Sequence, residues 1–455
     1  MNADIKRSMH LRDKLWIKYR RTKTPEDRAR YNAQKNATNY EVRRAQQHFS
    51  KGILKGGSKS TWNRVRSLGL GKIKSSAPLH VGLDELNQYF VSVVPTPNSS
   101  VKNRILEEME RGLNTRPVNS DTLFNFVEVS EVDVSKAILS IKSKAGGYDG
   151  MDGRMVRTIL PYVLPVLTHI FNKSLSTGVF PTEWKSANVV PLQKINSPTS
   201  CNDYRPISLL PILSKALEKL AIWQIIDFAE SQNVLDVFQS GFRRRHSTAT
   251  ALVKVTDDIR LSLDAGKVTF LVLLDMSKAF DSVDFDILLA TLKSMGLSEN
   301  ALSWIDSYLR GRRQRILHDG KHSEWKNINA GVPQGSVAGP LLFAIYISSL
   351  QRVFHRCKYH VYADEIQIYT HCLPGKMSDT IRELNEELSR FHEWTKSIFL
   401  RPNPQKTKAM AFGPKSVINS LDMAHLPPII LDGTVIPFSD TVKNLGVIID
   451  STLSW

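Results

Sequence analysis

The sequence predicts an α+β fold in which an antiparallel sheet is backed by helices. Three observations carry this. From about residue 145 onward, short apolar strands alternate with amphipathic helices. Two tight hairpins are signalled, one by Asp319-Gly320 and one by YHVYADEIQIY, from Tyr359 to Tyr369. TFLVLLD (269–275) reads as a buried strand that ends on a charge, Asp275.

The elements follow in order. Residues 1–56 read as charged helices. TPED is a good helix start, with Thr24 as cap, Pro25 in the first turn, and Glu26 and Asp27 at the positive helix end. KGILKGGSKS (51–60) reads as a flexible linker. A mixed region follows, with a short amphipathic helix in LDELNQYFVSV and a connector in VPTPNSS. The expected division is a basic helical extension over 1–75, a connecting region over 76–144 and a main domain over 145–455. Within the last, VDFDILLATLKSMG is a helix closed by Gly296, and ALSWIDSYLRG is a second. Ile381, Leu384, Leu388, Phe391 and Trp394 recur at helical spacing, and LPPIILDGTVIPFSD and KNLGVIID give late short strands.

Composition narrows the function classes. The 455-residue chain is 42% apolar and carries a net charge of +17. Residues 1–80 hold 20 Lys/Arg against 5 Asp/Glu, a net of +15, so almost all the excess lies there. Such a density of positive charge points to a polyanionic partner, nucleic acid foremost. No run approaches the ~18 apolar residues of a membrane span, and MNADIKRSMH lacks the apolar core of a signal peptide. Three cysteines, Cys201, Cys357 and Cys372, make no disulfide framework and suit a reducing compartment. The expectation is a soluble, intracellular protein.

The acidic residues carry the chemistry. Asp275 ends a strand, and Asp364 follows 89 residues later at a hairpin tip with Glu365 beside it. If the strands are neighbours, these carboxylates converge at one sheet edge, where they cannot all stay ionised without a counter-charge. Hard oxygen ligands without His or Cys point to Mg²⁺ or Mn²⁺. Two such ions ~3.5–4 Å apart can activate a hydroxyl and stabilise a leaving pyrophosphate, which is nucleotide polymerisation. Between the acids, AGVPQGSVAGPLLFAIYI (330–347) is a small-residue turn opening an apolar helix. It lets a flat object approach the backbone, with Gln334 beside it to hydrogen-bond. Cys357, His360, His371 and Cys372 flank the hairpin, but adjacent His371 and Cys372 point to opposite strand faces, which spoils a zinc site.

These stretches resemble a known family. FLVLLDMSKAFDSVD, AGVPQGSVAGPLLF and YHVYADEIQIY look like motifs A, B and C of reverse transcriptases, closest to those of non-LTR (LINE-type, Jockey-like) retrotransposons. WKSANVVPLQKINSPTSCNDYRPISLLPILSKALEKL resembles the fingers of that group, and QSGFRRRHSTATAL the segment before motif A. NPQKTKAMAFG resembles motif D, and VKNLGVIIDSTLSW motif E. The likeness covers roughly 145–455.

The resemblance implies a right-hand polymerase fold, with fingers over 145–268, palm over 269–455 and the thumb largely missing. It implies an RNA template, a DNA primer, dNTP substrates and two Mg²⁺ or Mn²⁺ ions. Asp275 and Asp364 would hold both metals with the backbone carbonyl of Met276, and Glu365 would be the third carboxylate. Phe280 would exclude a ribose 2′-hydroxyl. Lys194 and Arg205 would grip the triphosphate, Gln334 and Gly335 would line the nucleotide pocket, and Lys406 would sit near the pyrophosphate as a proton donor. Gly446 would lie near the primer-holding turn. The family implies a nuclear and cytoplasmic ribonucleoprotein setting. It usually carries Asp-Asp where this chain has Asp364-Glu365, which keeps two readings open: an active RNA-directed DNA polymerase, or a polymerase-shaped RNA-binding protein with impaired catalysis.

Overall fold

A computed structural model describes residues 3–53, 79–92, 99–114, 123–143, 145–232, 235–243, 245–414, 417 and 426–453. The chain divides into two compact units, Met1–Pro78 and Leu79–Trp455.

The first unit is a helical hairpin of α1 (Ala3–Thr22) and α2 (Pro25–Ile53). Thr24 caps α2 through its hydroxyl, which accepts from the Asp27 amide at 3.3 Å. The helices run antiparallel, because the Ser8 and Thr38 hydroxyls meet at 2.9 Å while Trp16 packs on Tyr31 nearer the turn, ring centroids 4.9 Å apart. The helix reaches Ile53, so the expected linker begins later than residue 51; the rest of it lies outside the described residues.

The second unit opens with α3 (Leu83–Val91), α4 (Ser99–Asn114), α5 (Glu131–Leu139) and α6 (Gly153–Thr177). Asp152 caps α6 by accepting from the amides of Arg154 and Met155. Strands β1 (Ser186–Gln193) and β2 (Tyr204–Leu209) precede α7 (Ile212–Ser231) and α8 (Thr248–Asp264). Next come β3 (Val268–Leu274), α9 (Phe285–Ser294), α10 (Glu299–Leu309), β4 (Arg312–His318), β5 (Lys321–His322), β6 (Lys326–Ile328) and α11 (Gly339–Tyr346). The described chain closes with β7 (Lys358–Tyr362), β8 (Glu365–Cys372), α12 (Met377–Ser397), β9 (Lys408–Phe412) and the short hairpins β10–β11 (429–436) and β12–β13 (441–450).

Two sheets position the site. One is antiparallel throughout, in the order β7-β8-β3-β9. Alternation along β3 feeds two cores. Phe270, Val272 and Leu274 enter the main core with Leu342, Phe343 and Ile345 of α11. Leu271 faces Val255 and Ile259 of α8, together with Tyr369, Met410 and Val442. A strand buried on both faces has no polar alternation, which is why TFLVLL is unbroken until Asp275.

The other sheet has the order β2-β1-β4-β5, with β6 also on β4. The antiparallel sheet expected is the one that holds β3; in this second sheet the β1–β4 pair is parallel. This pairing joins residues 312–328 to 186–209. A parallel pair needs a long crossover and leaves no local signal.

Candidate active site

Asp275 sits one residue beyond β3. The segment 401–407 wraps this end: the Asp275 carbonyl accepts from the Asn403 amide at 2.8 Å, and the Ser277 amide donates to the Arg401 carbonyl at 2.8 Å. Lys406 Nζ stands 3.8 Å from Asp275 Oδ2, an oxygen that is buried and makes no hydrogen bond. Burial pushes the Asp275 carboxyl up, Lys406 opposes that shift, and Asp364 adds to it.

Asp364 reaches the same edge from the β7–β8 turn. Ala363 and Asp364 form the two-residue tip, with Ala363 at φ 59°. The segment before α8 holds this tip. The Ser240 amide donates to the Val361 carbonyl at 2.8 Å, and the Val361 amide to the Phe238 carbonyl at 2.9 Å. Gln239 Oε1 accepts from the Gly241 amide at 2.8 Å and the Ala363 amide at 3.3 Å. A Cβ on Gly241 would stand 2.2 Å from the Ala363 nitrogen. Gly241→Ala is therefore expected to displace the turn and destabilise the protein by about 1–3 kcal/mol, as overpacking does. Thermal melting checks this, and an unchanged midpoint would show that the turn is not held there.

Half-buried Asp364 is pushed up chiefly by burial, with Arg205 and Lys406 holding it down. Glu365, the exposed first residue of β8, is raised by burial of its carboxylate and then by Asp364. The β3–β8 ladder ends at Leu274↔Ile366, so its next rung sets Asp275 opposite Glu365. The Leu445 amide and Lys443 face the Glu365 carboxylate and draw it back down. Leu445 and Gly446, at φ 47° and 90°, form the β12–β13 turn, and the buried Asn444 amide donates to Gln367 Oε1 at 2.8 Å. Gly446 thus sits beside the acidic cluster.

Positive charge surrounds the acids. Arg205 is exposed on β2, paired with Leu192 next to Lys194. Lys194 Nζ donates to the Asn202 carbonyl at 2.6 Å. Burial, then Lys406 and Arg205, lower the Lys194 pKa. A cluster that repels its own cations is prepared for an anion.

The small-residue turn completes the site. Phe280 is partly buried and stacks on Phe343, centroids 4.6 Å apart. The Val332 amide donates to the Phe280 carbonyl at 2.9 Å. Gly331, at φ 84°, lies so close to Asp281 that a Cβ would be 2.7 Å from its carbonyl oxygen. Gln334 Nε2 donates to both Asp281 oxygens, at 2.9 and 3.0 Å, and the Gln334 backbone carbonyl accepts from the Ser208 amide at 2.7 Å. Gly335 is exposed beside it. Burial pushes Asp281 up to about 6. Met276 is buried and bridges to Pro402.

The residues given roles by the resemblance thus lie around this sheet edge, while His371 and Cys372 sit at the far end of β8 opposite Thr269 and Val268. Sequence reasoning missed Asp281, Gly241 and Lys278. Asp281 carries one signal, a carboxylate directly after an aromatic in the strand-end turn; the other two have none without coordinates. Among the described residues, no three His, Cys, Asp or Glu side chains form a ready cation cage, and no helix is long and apolar enough to cross a membrane.

A family model described as reverse transcriptase (RNA-dependent DNA polymerase) matches residues 192–449. Among curated proteins, the chain is 29% identical over 79% of its length to the RNA-directed DNA polymerase from mobile element jockey of Drosophila melanogaster, covering 39% of that protein. It is 31% identical over 71% of its length to the jockey polymerase of Drosophila funebris, covering 35% of it. To the probable RNA-directed DNA polymerase from transposon BS of Drosophila melanogaster it is 30% identical over 72%, covering 36%. The chain spans less than two-fifths of these relatives.

Proposed function

The chain belongs to the reverse transcriptase family, as a Jockey-like non-LTR member, and on that premise we propose that it extends a DNA 3′-hydroxyl with dNTPs on an RNA template at the Asp275–Asp364 edge. The observation that carries this reading is the convergence of two carboxylates from separate strands, ringed by Lys194, Arg205 and Lys406.

The residues fit divalent cations. Asp275 Oδ2 is buried without a hydrogen bond, and its neighbours are carboxylates rather than His or Cys. Mg²⁺ typically uses one or two carboxylates plus substrate phosphates, so this carboxylate pair suits an ion that arrives with a nucleotide. Asp275 and Asp364 would hold two such ions with the Met276 carbonyl, and Glu365 is the candidate third carboxylate. When bound, these ions supply activation of the 3′-hydroxyl and neutralise the leaving pyrophosphate.

The protein's own groups do the rest. Lys194 and Arg205 receive the triphosphate, Arg205 by a two-pronged contact. Lys406, beside Asp275 yet 65% exposed, is placed to give a proton to the departing pyrophosphate. Phe280, braced on Phe343, excludes a ribose 2′-hydroxyl. Asp281 occupies the Gln334 amide N–H, which leaves its carbonyl side for the nucleotide beside Gly335. The turn of Gly446 faces the primer side. Fingers and palm correspond to the sheets of β1 and β3.

The test is primer extension on an RNA template with Mg²⁺ or Mn²⁺, using Asp275→Asn as the control. Dideoxy-sensitive, RNA-dependent products from the parent alone support the reading; products that persist in Asp275→Asn refute it. A second reading, binding without efficient catalysis, draws on Glu365, whose carboxylate is engaged by the Leu445 amide.

The N-terminal hairpin serves this function as an RNA-binding element. Arg7, Lys14, Arg20, Arg28 and Lys35 are all exposed on it. Removing residues 1–53 is expected to weaken RNA binding and flatten its salt dependence, at about 0.7 in slope per lost phosphate contact. A filter-binding series over salt checks this, and an unchanged slope would show the helices to be merely solvated.

A further inference from the structure

Helix α3 ends at Val91, well before the family match begins at residue 192. Its sequence reads as an ordinary short amphipathic helix, yet it is anchored in an unusual way. Asn87 is fully buried, its amide donating to the Glu324 carbonyl at 2.8 Å and the Ser323 hydroxyl at 3.1 Å. Its oxygen accepts from Gln314 Nε2 at 3.1 Å. At the start of the helix, Asp84 accepts from the Glu324 amide at 2.8 Å. A buried amide with its groups satisfied fixes orientation as well as position.

What this orientation presents is directed at the nucleotide site. The Tyr89 hydroxyl donates to Asn202 Oδ1 at 3.1 Å, and the carbonyl of the same Asn202 accepts from Lys194 Nζ at 2.6 Å. The Tyr89 ring lies under Lys278, whose ammonium is 3.7 Å from the ring centroid. Lys278 follows Asp275 by three residues, in a left-handed conformation at φ 50°, within the electrostatic reach of Lys194 and Asp281. Lys278 is partly buried, the Asp281 carboxylate is its main opposite charge, and the ring face of Tyr89 adds a second favourable contact. Beyond Tyr89, Phe90 and Val91 wall a cavity whose other sides include Pro206, Asp281, Gly331 and Gln334.

We propose that α3 is a working part of the nucleotide site: Tyr89 is a positioning residue that aims Lys194 and Lys278 at the triphosphate, and Phe90 walls the pocket behind Gln334. The inference rests on the polymerase reading above and adds to it a residue lying outside the matched domain. Two lysines that repel each other need an external constraint to stay aimed at one polyanion. Tyr89 supplies it, by hydrogen bond through Asn202 for one and by ring face for the other.

The experiment uses the full chain bound to an RNA template with a dideoxy-terminated DNA primer, and reads the dNTP concentration that stabilises this complex. Steady-state extension on an ordinary primer gives KM and kcat separately. Tyr89→Leu is expected to raise the dNTP requirement and KM by about 5–10-fold, with kcat and RNA affinity within about 2-fold of the parent. Tyr89→Phe keeps the ring and loses the hydroxyl, so it should fall between. Lys278→Met should raise KM similarly; adding it to Tyr89→Leu should cost less than the product of the single effects, whereas adding it to Tyr89→Phe, which keeps the ring, should multiply. If Tyr89→Leu does not fold by thermal melting, the Tyr89→Phe and Lys194→Met cycle, which probes the hydroxyl link through Asn202 and should be less than multiplicative, decides alone. Unchanged nucleotide affinity in the variants, or fully multiplicative effects where one contact is shared (Tyr89→Leu with Lys278→Met, Tyr89→Phe with Lys194→Met), overturns the role of Tyr89 while leaving the polymerase reading intact. A parent that forms no nucleotide-stabilised complex overturns both.

Discussion

Asp364→Asn should cut RNA-templated primer extension by about 10³-fold, the scale on which loss of a single preorganised electrostatic group is felt, while raising the melting temperature of the metal-free protein. Both effects come from the same charge. Asp364 is held at the tip of the β7–β8 hairpin by Gln239 and the neighbouring backbone, half-buried and close enough to Asp275 to raise that carboxyl. Its carboxyl is raised above the ordinary 3.8, with burial the main cause. A carboxylate with a raised folded-state pKa costs stability at every pH above that raised value. The cost shrinks as pH falls through the window between the raised value and 3.8, and vanishes below it. The stabilisation by Asn should therefore be full at pH 7 and lost in acid. Melting curves of parent and variant at pH 7 and pH 4, without divalent ions, measure it. A variant less stable than the parent at pH 7 would mean that Asp364 is a structural acid satisfied by its surroundings, and the metal assignment would be lost with it.

The same physics explains what could be read from the chain. Asp275 and Asp364 stood out because a charge ending an apolar run is an anomaly that water and packing cannot both accommodate. The two hairpin tips were legible because turn chemistry is local. The partner of β4 was not, since a parallel pair between residues 186–189 and 313–316 leaves no trace in either strand. Asp281 looks like a surface acid until Gln334, 53 residues later, is seen to donate to it. Gly241 looks like an ordinary loop glycine until Ala363 is found where its Cβ would be. Tyr89 and Phe90 resemble any aromatic pair on the apolar side of a helix. Asp275 and Asp364 are legible as charges that interrupt apolar runs, whereas Gly241 and Tyr89, which act by holding another residue in place, leave no such mark.

Glu365→Asp is the second substitution with a large expected effect, and it should raise the extension rate by up to ~10²-fold, the cost of a 1 Å misplacement at a reacting centre. The rung that follows Leu274↔Ile366 sets residue 365 opposite Asp275, on the side where a third carboxylate could join the pair. Glutamate carries its carboxylate one methylene further, and here that extra reach ends at the Leu445 amide and the field of Lys443, on the β12–β13 turn. Shortening the side chain releases the Leu445 amide to solvent and draws the charge back toward Asp275 and Asp364. The turn need not loosen, because Asn444 remains bonded to Gln367 beneath it. Glu365→Gln separates the two roles: it can still accept from Leu445 but carries no charge. If charge near the metals is what residue 365 contributes, Gln should be slower than the parent and Asp faster, measured as single-nucleotide incorporation at saturating dNTP. If both substitutions slow the enzyme and weaken primer binding together, the Leu445 contact is itself the function, and the glutamate is an adaptation of the primer-side turn rather than a lesion in the catalytic pair.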